Sequence, residues 1–173
     1  MNRILVVTAV AAVGLLLATS RGAEPTMPVK QGPLDWSLGE WVGTRRDVAT
    51  HEEVKLRLRV EPILGGVGQA EHLEAEHKKG AYRGFTVRTP DEAAGRWVMT
   101  YWNSKRPGSS SLLYGDVDPK RSIWRTASPQ QSRQSRLLSE RKGADEWRRT
   151  MTVSEDQGKT WRELWVDELK RQR

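Results

Sequence analysis

Trp147-Arg148-Arg149-Thr150-Met151-Thr152-Val153 and Trp161-Arg162-Glu163-Leu164-Trp165-Val166-Asp167-Glu168-Leu169 flank Ser154-Glu155-Asp156-Gln157-Gly158-Lys159-Thr160. The two flanks alternate apolar and polar side chains, and the segment between them is rich in Ser, Asp and Gly. Period-2 segments around such a turn read as a β-hairpin. Pairing the flanks symmetrically about the turn puts Trp147, Arg149, Met151 and Val153 on one face with Trp161, Glu163, Trp165 and Asp167. That face carries more large apolar surface than the other, so it is the inward one. The same register sets Arg149 opposite Trp165 and diagonal to Glu163 and Asp167.

The period continues upstream. Val54, Leu56, Leu58 and Val60 alternate with Lys55, Arg57, Arg59 and Glu61, a half-buried strand that ends at Pro62-Ile63-Leu64-Gly65-Gly66. Further strands are expected from Trp41 to Arg45, Tyr82 to Arg88, Trp97 to Trp102, Ser111 to Gly115, Ser122 to Ala127 and Arg136 to Arg141. Residues 70–79 are rich in the helix formers Ala, Glu and Lys, yet the run is short and lies between strand patterns, so it too is read as a strand. About ten short strands with almost no helix predict an all-β, single antiparallel up-and-down barrel, calycin- or lipocalin-like, over residues 34–173. Closure removes exposed sheet edges.

The N-terminus has a different character. After Arg3, Ile4 to Ala18 is uncharged, and Thr19, Ser20, Gly22 and Ala23 follow. This is the layout of a signal peptide over residues 1–23, with an apolar run too short for a stable membrane span. Residues 24–33 are a Pro-containing linker. The expected destination is periplasmic or extracellular. There is no cysteine, so neither a disulfide framework nor a lipid anchor on cysteine is available, and stability must come from an apolar core. Removing residues 1–23 takes away Arg3 and Arg21, leaving 27 basic against 22 acidic side chains, a net charge of +5. The basic pairs, such as Arg45-Arg46 and Lys120-Arg121, are dispersed, so a nucleic-acid partner is not expected.

Three segments carry a family resemblance: Leu38-Gly39-Glu40-Trp41-Val42-Gly43, Glu61-Pro62-Ile63-Leu64-Gly65-Gly66, and Thr160-Trp161 through Trp165. In order and spacing they resemble a bacterial family of lipocalin-like domains of unknown function, itself similar to nitrobindin-type ten-stranded barrels. The likeness covers roughly residues 33–171. It implies a calycin-type barrel with an internal cavity and no established activity. Nitrobindin-type barrels bind haem through a histidine near the C-terminus. Here the last histidine is His77, so haem binding of that kind is not expected. The chain also departs from the family at Asp167, where an apolar residue is common, and at Asn103, where an aspartate is common. Separately, Ser154-x-Asp156-x-Gly158-x-Thr160-Trp161 matches the Asp-box hairpin of sialidase-type propellers. It occurs once, and it is read as a turn device in which the Ser and Asp bond the turn backbone.

Candidate site residues follow from the inward face. Arg149 is the polar anchor for an anionic ligand group, with Trp41, Trp147 and Trp165 clasping an apolar body and Asp167 beside the arginine. The competing reading is an ion pair near the open end of the barrel, in contact with water. His72, Glu74, Glu76 and His77 have the chemistry of a divalent-ion site, but the region is charged throughout, so they are read as a solvated face and no metal is expected. Glu163 and Asp167 could form the paired carboxylates of a glycan hydrolase. Other catalytic patterns are missing: no thiol, no Gly-x-Ser-x-Gly and no Gly-rich phosphate loop. No cofactor is implied. The expectation is a non-enzymatic binding module for a small apolar or amphipathic ligand. The alternatives are an envelope structural or interaction protein with a filled core, and a glycan hydrolase.

Overall fold

The computed structural model describes residues 32–77, 80–128 and 132–173. The expected signal peptide and most of the linker lie outside the described residues. The chain forms ten antiparallel strands: β1 (Gly39–Asp47), β2 (Glu53–Ile63), β3 (Gly68–His77), β4 (Gly80–Asp91), β5 (Arg96–Asn103), β6 (Ser110–Val117), β7 (Arg121–Thr126), β8 (Gln134–Arg141), β9 (Glu146–Ser154) and β10 (Arg162–Arg171). Each pairs with its neighbours in sequence, and β1 pairs with β10 to close the barrel. The up-and-down barrel expected from the period-2 pattern is the observed fold. Residues 70–77 are strand, as read; tertiary pairing on both sides overrides their helix propensity.

One end is sealed. A short 3-10 turn, Asp35–Ser37, precedes β1 and folds under the barrel, where Leu34, Trp36 and Ser37 are buried. Polar bonds hold it in place. Gln69 Nε2 donates to Leu34 O at 3.0 Å, Trp41 Nε1 donates to Ser37 O at 2.8 Å, and Arg171 Nη2 donates to Trp36 O at 2.9 Å. Above the turn, Trp36 and Trp41 meet Trp147 edge to face, with centroids 5.5 and 5.4 Å apart. These rings join Val54, Leu56, Leu58, Val60 and Leu169 in one core cluster. On the far wall Trp124 packs with Leu34, Met99, Leu113 and Leu137. The alternating residues of β2 therefore point inward as expected.

The β9–β10 hairpin departs from symmetry in two places. Val153 pairs with Arg162, and an irregularity between Glu163 and Trp165 then adds one more residue to β10. Met151 consequently faces Trp165, Arg149 faces Asp167 and Trp147 faces Leu169. Two one-residue slips cancel in parity beyond Leu164, so Trp165, Asp167 and Leu169 keep the inward face while their partners change. Glu163 sits between the two slips. It pairs with Thr152 and is exposed on the outer wall beside Arg136 and Arg148. Trp161 leaves the strand altogether: its Nε1 donates to Gly158 O at 3.0 Å, and its ring lies under Arg136.

Candidate functional site

The upper half of the barrel contains a cavity of about 540 Å³ that opens at the end opposite the tryptophan plug. Its apolar wall comprises Leu73, Met99, Leu113, Leu137, Met151 and Trp165, all at inward positions of their strands. Ser110, Ser111, Thr126, Ser128, Arg133 and Ser135 make a polar rim, which Tyr101 on β5, paired with Ser111, and Tyr82 on β4 continue. Burial pushes the Tyr82 phenol above its ordinary value, although the charge of Arg45 acts in the other direction. Tyr82 is therefore a neutral hydroxyl at neutral pH.

The floor of the cavity is ionic. Arg45 binds Asp167 through two bonds, Nε to Oδ1 at 2.7 Å and Nη2 to Oδ2 at 3.0 Å. Arg149 donates to the same Asp167 Oδ2 from Nε at 2.9 Å and from Nη2 at 2.6 Å. Its Nη1 reaches across the lumen to Glu71 Oε1 at 2.8 Å. The other Glu71 oxygen accepts a short bond from Arg88 Nη2. The result is a chain of alternating sign, Arg45–Asp167–Arg149–Glu71–Arg88, contributed by β1, β10, β9, β3 and β4. Each guanidinium also faces an indole: Arg45 lies 3.7 Å from the Trp165 centroid, Arg149 5.1 Å from Trp147 and Arg88 5.9 Å from Trp124.

Burial alone would raise the Glu71 carboxyl, but the charges of Arg88 and Arg149 and their hydrogen bonds overcome it and hold the group at about 2. Burial likewise opposes the charge on Arg149, and Glu71 and Asp167 outweigh it, so the guanidinium stays charged. Within a low-dielectric interior such charges persist only when paired.

The site residues expected from sequence separate into two groups. Arg149 and Trp165 line the cavity. Asp167 is fully buried behind them, bonded to both Arg149 and Arg45. Trp41 and Trp147 do not line the cavity; they lie in the plug beneath it. The expected tryptophan-lined chamber is therefore a chamber of leucine, methionine and tyrosine with one tryptophan in its wall. Arg149, expected as the polar anchor beside Asp167, is held by two carboxylates, Asp167 and Glu71. Nor is it an ion pair near the mouth, since its side chain is only 3% exposed. Arg45, Glu71 and Arg88 were not singled out in the sequence. Their signal was parity alone: Arg45 shares the face of Trp41, Glu71 that of Leu73 and Ala75, and Arg88 that of Tyr82 and Thr86.

Two further groups raised by the sequence have these surroundings. Glu163 and Asp167 lie on opposite faces of β10, so they do not form paired carboxylates. On the outer face of β3, His72 Nε2 lies 3.1 Å from Glu61 and Glu74 binds Arg83 at 3.1 Å. No group of three or more His, Asp or Glu with metal-site geometry occurs among the described residues. The Asp-box reading of the turn holds in its bonds. Ser154 Oγ donates to Asp156 Oδ1 at 2.7 Å, and Asp156 accepts from Thr160 N at 2.9 Å and Thr160 Oγ1 at 2.7 Å.

No helix among the described residues is long and apolar enough to cross a membrane. No protein-family model matches the chain, and comparison with curated proteins returns no significant relative.

Proposed function

We propose that this chain is an exported, lipocalin-like binding module that holds one small amphipathic molecule inside its barrel. The observation that carries the reading is the sealed lower half beneath an open upper half. Three tryptophans and a tethered turn fill one end, and about 540 Å³ remains free at the other. That volume is in the range of sites that enclose small ligands, and its lining joins apolar walls to a few convergent polar groups. The N-terminal sequence pattern supports export. The three short motifs around Trp41, Pro62 and Trp161 support membership of the lipocalin-like family.

The uncharged fluorophore 1-aminoanthracene tests this reading. Saturable one-site binding is expected, with loss of Trp165 emission on filling the cavity. A folded protein that neither binds the fluorophore nor retains any small molecule in native mass spectrometry rejects it.

A further inference from the structure

The floor of the cavity contains an odd number of charges. Its chain begins on Arg45 and ends on Arg88, so three guanidinium groups meet two carboxylates and one positive charge is left over. Asp167 is shared by Arg45 and Arg149, and Glu71 is shared by Arg149 and Arg88. Neither carboxylate is free to serve a further cation. Among the described residues no other acidic side chain lines the cavity, and Arg133 at its rim is paired with Glu155 at 3.4 Å.

The surplus is concentrated at Arg88. Its side chain is 3% exposed, and among the described residues its one hydrogen-bonding partner is Glu71. A guanidinium has five N–H donors in a rigid fork, so most of those on Arg88 are unused. It lines the cavity at its base, and the Trp124 ring lies behind it. A buried cation with unused donors facing an enclosed space is the arrangement that receives an anion. Beside it in the wall, Met99, its cross-strand partner, and Leu113 and Leu137 offer apolar surface.

We infer that the cavity takes a singly charged amphipathic anion, a carboxylate on an aliphatic body, headgroup down against Arg88 with the tail toward the mouth. This rests on the binding reading above and names the class of ligand. The headgroup completes the alternation of charge, and the floor becomes neutral.

Calorimetric titration of the full chain with decanoate, 1-decanol and decyltrimethylammonium tests it. Decanoate should bind at least about tenfold more tightly than decanol, the scale of a charge-assisted hydrogen bond, and the cation most weakly. Equal affinity for decanoate and decanol overturns the anion site while leaving the cavity reading intact. Failure of both to bind removes both readings. Arg88→Gln should bring decanoate down to the affinity of decanol, and Arg88→Lys should keep a preference for the acid. A folded Arg88→Gln protein that retains the full preference refutes the assignment to Arg88. If that variant does not fold, the preference of the unmodified protein still decides.

Discussion

Arg149 on β9 and Glu71 on β3 are bonded at 2.8 Å across the lumen, although three strands, β10, β1 and β2, separate their own strands around the wall. The pair ties nearly opposite sides of the barrel together and divides the filled half from the open half. Arg149→Ala removes three charge-assisted bonds and leaves Asp167 with Arg45 alone and Glu71 with Arg88 alone, so each carboxylate keeps one counter-charge but loses bonds it makes in a dry interior. It should cost about 2–3 kcal/mol in urea unfolding, the scale of bonds lost at buried charged groups. A loss under about 1 kcal/mol would show that the chain of charges is not held as described.

The same contact sets an acid limit on stability. Glu71 sits at about 2 in the folded protein, below its ordinary 4.5. A carboxyl lowered on folding contributes stability that is fully present above the ordinary value and is lost as pH falls through the folded one. The gap in urea midpoint between the unmodified protein and Glu71→Gln should therefore narrow as pH falls from 4.5 toward 2. A gap that stays constant across that window contradicts the assignment.

Closure of the barrel depends on a bare backbone at Gly43. A Cβ there would be driven into the carbonyl of Glu168 on β10, which is main chain and has little room to yield. Gly43→Ala should destabilise by about 3 kcal/mol or more, the upper end of overpacking costs. Gly108, in the β5–β6 loop, has open space around it and serves as the control, with Gly108→Ala within about 0.5 kcal/mol of the unmodified protein. Equal effects of the two substitutions would refute the close approach of β1 and β10.

The Asp156 turn is separable from the cavity. The Thr160 amide is the largest influence holding the Asp156 carboxyl well below its ordinary value, and the Ser154 and Thr160 hydroxyls add to it. Asp156→Ala should lower Tm and speed amide exchange at Thr160 while leaving exchange at Arg149 unchanged. Uniform acceleration throughout β9 and β10 would show that the turn is not local in its effect.

The fold was legible because alternation in β2 and β9 is nearly uninterrupted, and because turns of Gly, Pro, Asp and Ser separate the strands. The inward faces of β9 and most of β10 were legible for the same reason. The exact partners were not. An asymmetric turn and one added residue near Leu164 are each invisible in the pattern, and they move Asp167 opposite Arg149 while turning Glu163 outward. The ionic floor was hidden for a different reason. Glu71 and Arg88 are one charge each in strands full of charge, and only their inward parity and their bonds within the ionic chain distinguish them from solvated neighbours such as Glu74 and Arg83. Eight tryptophans suggested a lined pocket, but the rings of Trp36, Trp41 and Trp147 are large enough to fill one end of the barrel by themselves.

Methionine methyl resonances report most directly on whether the open half receives a ligand. Met99 on β5 and Met151 on β9 face the cavity from different walls. With ¹³C-methyl methionine incorporated, titration with decanoate should shift both signals together along one saturable isotherm. If both stay in place while the protein remains folded, decanoate does not enter the cavity and the central claim fails.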